Sequence, residues 1–469
     1  MTKKVVLFGT GQDLYKCIGV LREQGIEHYC FTDNNSSKWG TLLDGKKIIP
    51  PTELIRIDCQ IVITTSNYKM QIQNQLNAMG LGDRVLDFSS VFRKYIDRKS
   101  SEYQVSKAKV HKQKCVLVDA FTGSGWDGDA QYACIIASCL DKRGYNTYVY
   151  AKESLIKYSE DIEKLIGRYE QRREAYWETV LPIIRDMEQR LPFVLIANSL
   201  DYVMVAAYVL KQRYPDLVRI ISVIHNDSYM LYERQVQWQN EIEKYICISA
   251  RIRKNLEDEW KIPPNKLYYR VNPCIIEMEG LVEFNPVSEW QGPVRIGWGG
   301  RLYSAQKRAD LLPELIEKLE EKKIDYQLEI AGDGPCYAMI ETYIQQNDLK
   351  ERVHLLGRLE PGSMKDFLQR QQVYINISEW EGCCLAMLEA MKCGAVPVVT
   401  DVSGTEELII DGQTGFKAGI GEIEQIANKI AYLASHLEKR KIMSRHAREM
   451  VEECCELNQY IDFIEELIK

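Results

Sequence analysis

Apolar residues in this chain come in short, β-branched runs separated by stretches where they recur every three or four positions. The first pattern reads as buried strands and the second as helices packed on them. Val5 to Phe8 opens the series, followed by Gly9, Thr10 and Gly11, a helix-compatible run and a second strand ending at Asp33. Cys59 to Thr65 and the helix after it carry the alternation to about Phe92. It resumes with Cys115 to Phe121, Tyr148 to Tyr150, Phe193 to Ala197, Arg219 to His225 and Tyr245 to Ser249. A third series runs through Val294 to Trp298, Tyr326 to Pro335, Arg352 to Leu359, Val373 to Ile377 and Ala395 to Val399. This alternation predicts parallel sheets covered by helices, in an α/β chain of about three domains at this length.

The pattern also shows where it fails. Between Arg93 and Lys114 the apolar period is lost and basic residues accumulate, which predicts a linker. Its Lys and Arg residues suit lipid head groups, against the simpler reading of a solvated charge run. Ser154 to Arg190 mixes both charge signs at helical spacing and reads as solvated helix. Tyr202 to Leu210, the longest apolar run, reads as buried helix because it is too short for a membrane span. Glu438 to Lys469 reads as amphipathic helix.

Composition narrows the class. Of the 469 residues, 45% are hydrophobic, ordinary for a globular chain, and the net charge of −7 gives no global attraction to nucleic acid or anionic membrane. The fourteen cysteines show no C-x2-C pair and no disulfide framework, and the amino terminus has too short an apolar run for a signal peptide. A reducing cytoplasm is expected, with the inner face of the membrane as the site of any peripheral association.

Glycine motifs are present but incomplete. Gly9 and Gly11 with Asp33 approach a dinucleotide fingerprint, yet Leu14 stands at the third glycine position. This segment loosely resembles Rossmann-like leading domains of bacterial surface-polysaccharide enzymes, which leaves docking, regulation and cofactor binding open. Gly123, Gly125 and Gly128 complete G-x-G-x-x-G, but no acid closes the next strand. Asp127 and Asp129 mimic a metal-binding D-x-D, although they sit at the mouth of a helix rather than directly after a strand.

Chemistry concentrates between Val373 and Lys417. A strand, a loop over Ser378 to Gly382, a helix from about Leu385, a stop at Gly394 and another strand form a parallel β-α-β unit. Its helix start offers free N–H groups to an anion such as a diphosphate. Glu381 and Glu389 stand eight residues apart, about 12 Å if both lie along the helix. Two acceptor-only carboxylates at that separation suit the two ends of a sugar nucleotide, and each is otherwise an ordinary solvated position.

With Glu381, Gly382, Leu385, Leu388, Glu389, Ala390, Met391, Gly394, Pro397, Val398 and Val399, this stretch resembles the donor-binding region of retaining GT4 glycosyltransferases. The resemblance implies a GT-B architecture of two facing Rossmann-like lobes, preceded by a small additional α/β Rossmann-like domain. The boundaries expected are 1–98 for that domain, 99–114 for the basic linker, 115–285 for the acceptor lobe and 286–454 for the nucleotide-sugar lobe. The terminal helix 455–469 would return to the acceptor lobe.

Residue by residue, the resemblance implies that Glu389 holds the ribose and Glu381 lies near the transferred sugar. Gly382, Cys383, Leu385 and Gly300 would line the donor, with Gly125 and Gly128 from the earlier lobe. Arg301 and Lys307 would bind the diphosphate, with Arg308 a second candidate for the lysine's part, and His225 would stand near the sugar. Cys383 and Cys384 replace the family's usual aromatic and small residues, which leaves the sugar open. The implied activity is retaining transfer from a nucleotide-diphosphate sugar, UDP favoured, to a glycan, lipid-linked or protein hydroxyl, with no metal or other cofactor. Bacterial surface polysaccharide or glycoconjugate assembly is the implied setting. The rival readings are a nucleotide-sugar epimerase and a non-catalytic partner of a protein glycosylation complex. Deleting residues up to about Ser106 is expected to leave a folded, donor-binding enzyme.

Overall fold

The computed structural model describes residues 4–11, 14–65, 68–104, 110–120, 128–153, 159–172, 175–276, 292–359 and 362–469. They divide into two compact units, Met1–Ile221 with Tyr232–Glu243, and Ser222–Leu231 with Lys244–Lys469.

The first unit opens with β1 (Lys4–Phe8), β2 (His28–Thr32), β3 (Leu42–Leu43), β4 (Lys46–Ile49) and β5 (Cys59–Ile63), side by side in the order β3-β4-β2-β1-β5. Val6 and Phe8 enter one buried cluster while Val5 and Leu7 enter another, as period-two side chains do in a sheet covered on both faces. β3 and β4 form an antiparallel hairpin closed by Asp44 and Gly45, both at positive φ. Asp-Gly is the residue pair such a two-residue turn favours.

The same unit continues with β6 (Cys115–Ala120), β7 (Asn146–Lys152), β8 (Ile166–Tyr169), β9 (Phe193–Ala197) and β10 (Val218–Ile224), most of which lies here. They run β10-β9-β6-β7-β8, and the order reverses between β6 and β9. The helix Tyr202–Arg213 is buried along Tyr202 to Leu210, as its composition predicts.

Two sequence expectations fail in this unit. The basic stretch from Arg93 is not a linker at its start. It is the second half of a helix, Phe88–Glu102, that buries Phe92, Tyr95, Ile96 and Ser100. Spacings of three and four residues carry that face, and the surrounding charge obscures it. Arg93 donates to Glu241 at 2.6 Å and stands over the rings of Tyr208 and Trp238, while Asp97 accepts from the Tyr208 hydroxyl at 2.6 Å. The stretch Ser154 to Arg190 is likewise not continuous solvated helix, since β8 lies within it and the helix Tyr176–Glu188 buries seven of its residues.

In the second unit β11 (Lys244–Cys247) pairs in parallel with β12 (Leu267–Tyr269). β13 (Val294–Gly299), β14 (Tyr326–Ala331), β15 (Val353–Gly357), β16 (Val373–Asn376), β17 (Val396–Thr400) and β18 (Phe416–Ala418) form an all-parallel sheet in the order β15-β14-β13-β16-β17-β18. Counted from β13 this is the order 3-2-1-4-5-6 of a doubly wound nucleotide fold, which binds ligands where the order reverses.

The tail forms two helices, Leu437–Cys454 and Leu457–Ile468, the second lying within the terminal helix expected at 455–469. The break was legible in Glu456, whose carboxylate caps the second helix at Asn458 N and Gln459 N, satisfying donors a helix start leaves open. At the far end Lys244 Nζ donates to the Leu467 carbonyl at 2.8 Å. No helix among the described residues is long and apolar enough to cross a membrane. All fourteen cysteines are free thiols.

Candidate functional site

The reversal between β13 and β16 brings two loops together beyond their carboxyl ends. The loop after β13 must pass close to the one after β14, and Gly332 permits it, because a Cβ there would stand 1.8 Å from the Gly300 carbonyl oxygen. Tyr374 of β16, fully buried, donates its hydroxyl to the Gly299 carbonyl at 3.0 Å and ties the two strands at their ends.

From these loops Lys307 and Glu381 meet. Lys307 Nζ lies 2.6 Å from Glu381 Oε1, with side chains 16% and 7% exposed, so solvent screens the pair weakly. Burial pulls the Lys307 ammonium down, but the Glu381 charge and hydrogen bond outweigh it and hold the group above its usual value. Ser378 Oγ stands 2.6 Å from the same carboxylate oxygen and 2.5 Å from Asn376 Oδ1, so its one proton serves one of the two at a time. Ser378 N donates to Asn376 Oδ1 at 3.0 Å, and Thr400 Oγ1 donates to the Ser378 carbonyl at 2.7 Å.

Gln306 joins the loops a second time. Its carbonyl accepts from Glu379 N at 2.7 Å, its Nε2 donates to the Trp380 carbonyl at 3.3 Å, and its Oε1 accepts from Arg301 at 3.0 Å. Arg301 is exposed at the rim. Arg308, in a left-handed conformation at φ 47°, turns to Glu379 at 2.7 Å. Lys307, not Arg308, is therefore the cation against Glu381.

The segment after β10 lies against the same loop. Asn226 bridges to Gly382, Asp227 N donates to the Glu381 carbonyl at 3.1 Å, and a Cβ on Gly382 would stand 2.1 Å from the His225 carbonyl oxygen. Only glycine fits at 382. His225 is thus brought beside Glu381 and Gly382 through the backbone.

The helix that follows is Leu385–Lys392, with Cys384 as N-cap and no side-chain cap bond. Glu381 precedes this helix by four residues, so the eight-residue helical rise expected between Glu381 and Glu389 does not apply. Glu389 is buried at 9% exposure within the helix. Cys383 and Cys384 are buried, and burial raises both thiols, which makes them apolar wall rather than reactive groups. In the turn after β17, Ser403 Oγ lies 2.6 Å from Ser249 Oγ and Glu407 accepts from Ala250 N. Those contacts fill the start of the helix Ala250–Asp258.

Sequence reading missed Ser378, Asn376, Gln306 and Asp227. A signal existed for Ser378, three residues before Glu381 and just past a strand end, while the rest depend on contacts distant in sequence. Gly128 lies in the other unit, where it opens the helix Gly128–Lys142. Gly123, Gly125 and Asp127 lie outside the described residues. Among the described residues no group of three His, Cys, Asp or Glu side chains is arranged to hold a metal ion.

A weakly exposed lysine–carboxylate pair at the switch point of a doubly wound sheet can offer a cation to an anionic group and an acceptor to hydroxyls. Residues 294–450 match the model of glycosyl transferases group 1. Residues 1–86 match a second model, C2185-like, N-terminal. Among curated relatives, an uncharacterized glycosyltransferase of Methanocaldococcus jannaschii is 28% identical over 44% of this chain and 54% of its own length. A phosphatidylinositol N-acetylglucosaminyltransferase component from Arabidopsis thaliana is 23% identical over 65% of this chain and 71% of its length. The chain thus spans about half of the first relative and more of the second.

Among solved structures, Anabaena HepE in complex with UDP and glucose superposes with a TM-score of 0.62 at 16% identity, over 76% of this chain and 99% of that one. A variant of S. aureus TarM, in complex with Fondaparinux, alpha-GlcNAc-glycerol and UDP, covers 100% of both chains at 14% identity and a TM-score of 0.53. These likenesses show the fold. The chain has the α/β GT-B class of fold with an additional α/β domain at its amino terminus. The domain match and the relatives' names support a glycosyltransferase enzyme.

Proposed function

We propose that this chain transfers a sugar from a nucleotide diphosphate, UDP favoured, to a hydroxyl acceptor with retention of configuration at the anomeric carbon. The observation that carries the reading is the Lys307–Glu381 pair at the β13/β16 switch point. A fixed ammonium there meets the negative charge that gathers on a departing diphosphate, and preorganised charge of this kind lowers a barrier without reorganisation. Arg301 at the rim adds a second cation, so the reaction needs no metal. Glu381, relieved of Lys307 by the incoming phosphate, accepts from sugar hydroxyls, and Glu389 accepts from the ribose. Among the described residues no side chain stands out as a nucleophile, and the leaving phosphate helps to remove the acceptor proton.

The names of UDP-bound neighbours support the donor. The names of N-acetylglucosaminyl-transferring relatives support a hydroxyl acceptor in glycoconjugate assembly. Fourteen free thiols fit a reducing cytoplasm. A panel of UDP-, GDP- and dTDP-sugars, assayed for nucleotide release with and without chelator and followed by NMR of the product anomer, tests the reading. The expected result is chelator-insensitive release from one UDP-sugar and an α-linked product from an α-donor. No release from any donor points to a non-catalytic partner, and a changed donor sugar without transfer points to an epimerase.

A further inference from the structure

The sheet of the first unit has a switch point of its own, between β6 and β9. Asp119, next to last in β6, is fully buried there. Its Oδ2 accepts from Ser199 N at 2.9 Å and Ser199 Oγ at 2.5 Å, whereas Oδ1 has no partner among the described residues. An unpartnered oxygen at zero exposure is costly, and a ligand hydroxyl would satisfy it. Burial pushes the Asp119 carboxyl up to about 7, against the hydrogen bonds from Ser199. Near neutrality it both donates and accepts.

Two residues past Ser199, Asp201 accepts from the Tyr176 hydroxyl at 2.8 Å and from Lys16 Nζ at 2.9 Å. Burial raises this carboxyl, but Lys16, Arg234 and the two hydrogen bonds outweigh it and hold it below its usual range. Lys16 does not belong to this sheet. It comes from the helix Leu14–Glu23 beside β1, and its Nζ is fixed over the rings of Phe92 at 4.3 Å and Tyr176 at 5.1 Å. Among the described residues Lys152 also faces Asp119, and the Tyr169 hydroxyl faces both carboxyls. One carboxyl able to donate beside one held as a fixed acceptor matches adjacent hydroxyls and disfavours an anion.

We propose that the β6/β9 switch point recognises the hydroxyls of the acceptor through Asp119 and Asp201, and that Lys16 of the amino-terminal domain is the positioning residue of Asp201. This rests on the donor reading above. The amino-terminal domain is then a working part of the site rather than an appendage.

Full-length protein, Lys16→Met and Lys16→Arg are compared for acceptor-independent UDP release from the accepted UDP-sugar. Transfer to glycerol and to methyl glucosides is measured in parallel. The expected result for Lys16→Met is an acceptor KM raised by at least about tenfold with UDP release unchanged within about twofold, and recovery in Lys16→Arg. An unchanged acceptor KM, or an equal fall in both activities, overturns the proposal. Infrared titration of the carboxyl stretch decides independently of turnover. A protonated-carboxyl band at pH 6 disappears in Asp119→Asn, and in Lys16→Met the titration of the Asp201 band moves to higher pH. If neither band behaves so, the proposal fails. If the bands appear but no donor is turned over, the donor reading fails alone. Should Lys16→Met not fold, Lys16→Gln, which also lacks the charge, replaces it and decides by the same KM split against wild type and Lys16→Arg.

Discussion

At the β13/β16 switch point the lysine and the carboxylate both come from loops of one sheet, whereas at β6/β9 the lysine is lent by a helix of a different sheet. The first pair is local to its fold, and short motifs announce each of its two residues. The second exists only after two α/β layers have packed, and no spacing in the sequence announces it. The two pairs therefore differ in what their loss would do. Breaking the first should leave a folded protein without chemistry, and removing the domain that supplies the second should leave no folded protein.

The largest effect separates these outcomes. Sequence alone suggests that residues up to about Ser106 are removable. In the structure, their removal strips Arg93 from Glu241, Lys16 from Asp201 and Lys69 from Glu233, and exposes the faces packed by Phe92 and Tyr95. Glu241 is 9% and Asp201 16% exposed, and a buried charge that loses its partner costs about 3 to 5 kcal/mol. Losses of this size consume most of an ordinary stability of about 5 to 15 kcal/mol. The truncated chain should be insoluble or lack a cooperative urea transition. A soluble fragment with native circular dichroism would show that the two layers are independent.

Next in size is Lys307→Met. It should remove about 3 kcal/mol of transition-state stabilisation, or more than a hundredfold in turnover, as the loss of one preorganised charge does. The urea transition should stay cooperative because Ser378 still reaches Glu381. Turnover within about threefold of wild type, measured with saturating donor, would detach the pair from the chemistry.

The sequence made the elements of the donor unit legible because its strands are buried on both faces and read as unbroken apolar runs, and because Gly394, at φ 93°, ends its helix where composition says it must. Lys307 and Glu381 were legible as residues but not as a pair, since 74 positions separate them. The hairpin at Asp44 and Gly45 carried a readable turn signal that the apolar pattern alone does not use. The helix Phe88–Glu102 was hidden by its charges, and β8 by its shortness among helical residues. Asp119 was legible as an acid within an apolar strand, but nothing local shows that it lies near Asp201 or that Lys16 reaches the latter.

A smaller effect sharpens the comparison through pH. Asp119 titrates at about 7 in the folded protein against about 3.9 unfolded, so between those values the native state binds the extra proton. Stability from this group is full at low pH and falls as pH rises through 7. Asp119→Asn lacks that loss. Relative to wild type it should gain about 2 kcal/mol between pH 5 and pH 7, read from urea midpoints. Parallel pH profiles for the two proteins would mean that Asp119 is ionised throughout and partnered.

The smallest effect concerns Arg301, the rim cation of the donor site. It is exposed and, among the described residues, held by one side-chain bond to Gln306 at 3.0 Å, while Lys307 is sequestered against a carboxylate. Arg301→Ala should cost about 1.5 kcal/mol, roughly tenfold in kcat/KM for the donor, the lower end of what a hydrogen bond to a charged group contributes. Because ions reach an exposed guanidinium and not a buried ammonium, raising salt from about 0.01 M to 1 M shortens the screening length from about 30 Å to 3 Å and should shrink the Arg301→Ala deficit. The Lys307→Met deficit should stay unchanged in the same series. Equal salt dependence of the two deficits would place both cations in the same environment and remove the distinction between rim and floor on which this reading of the donor site depends.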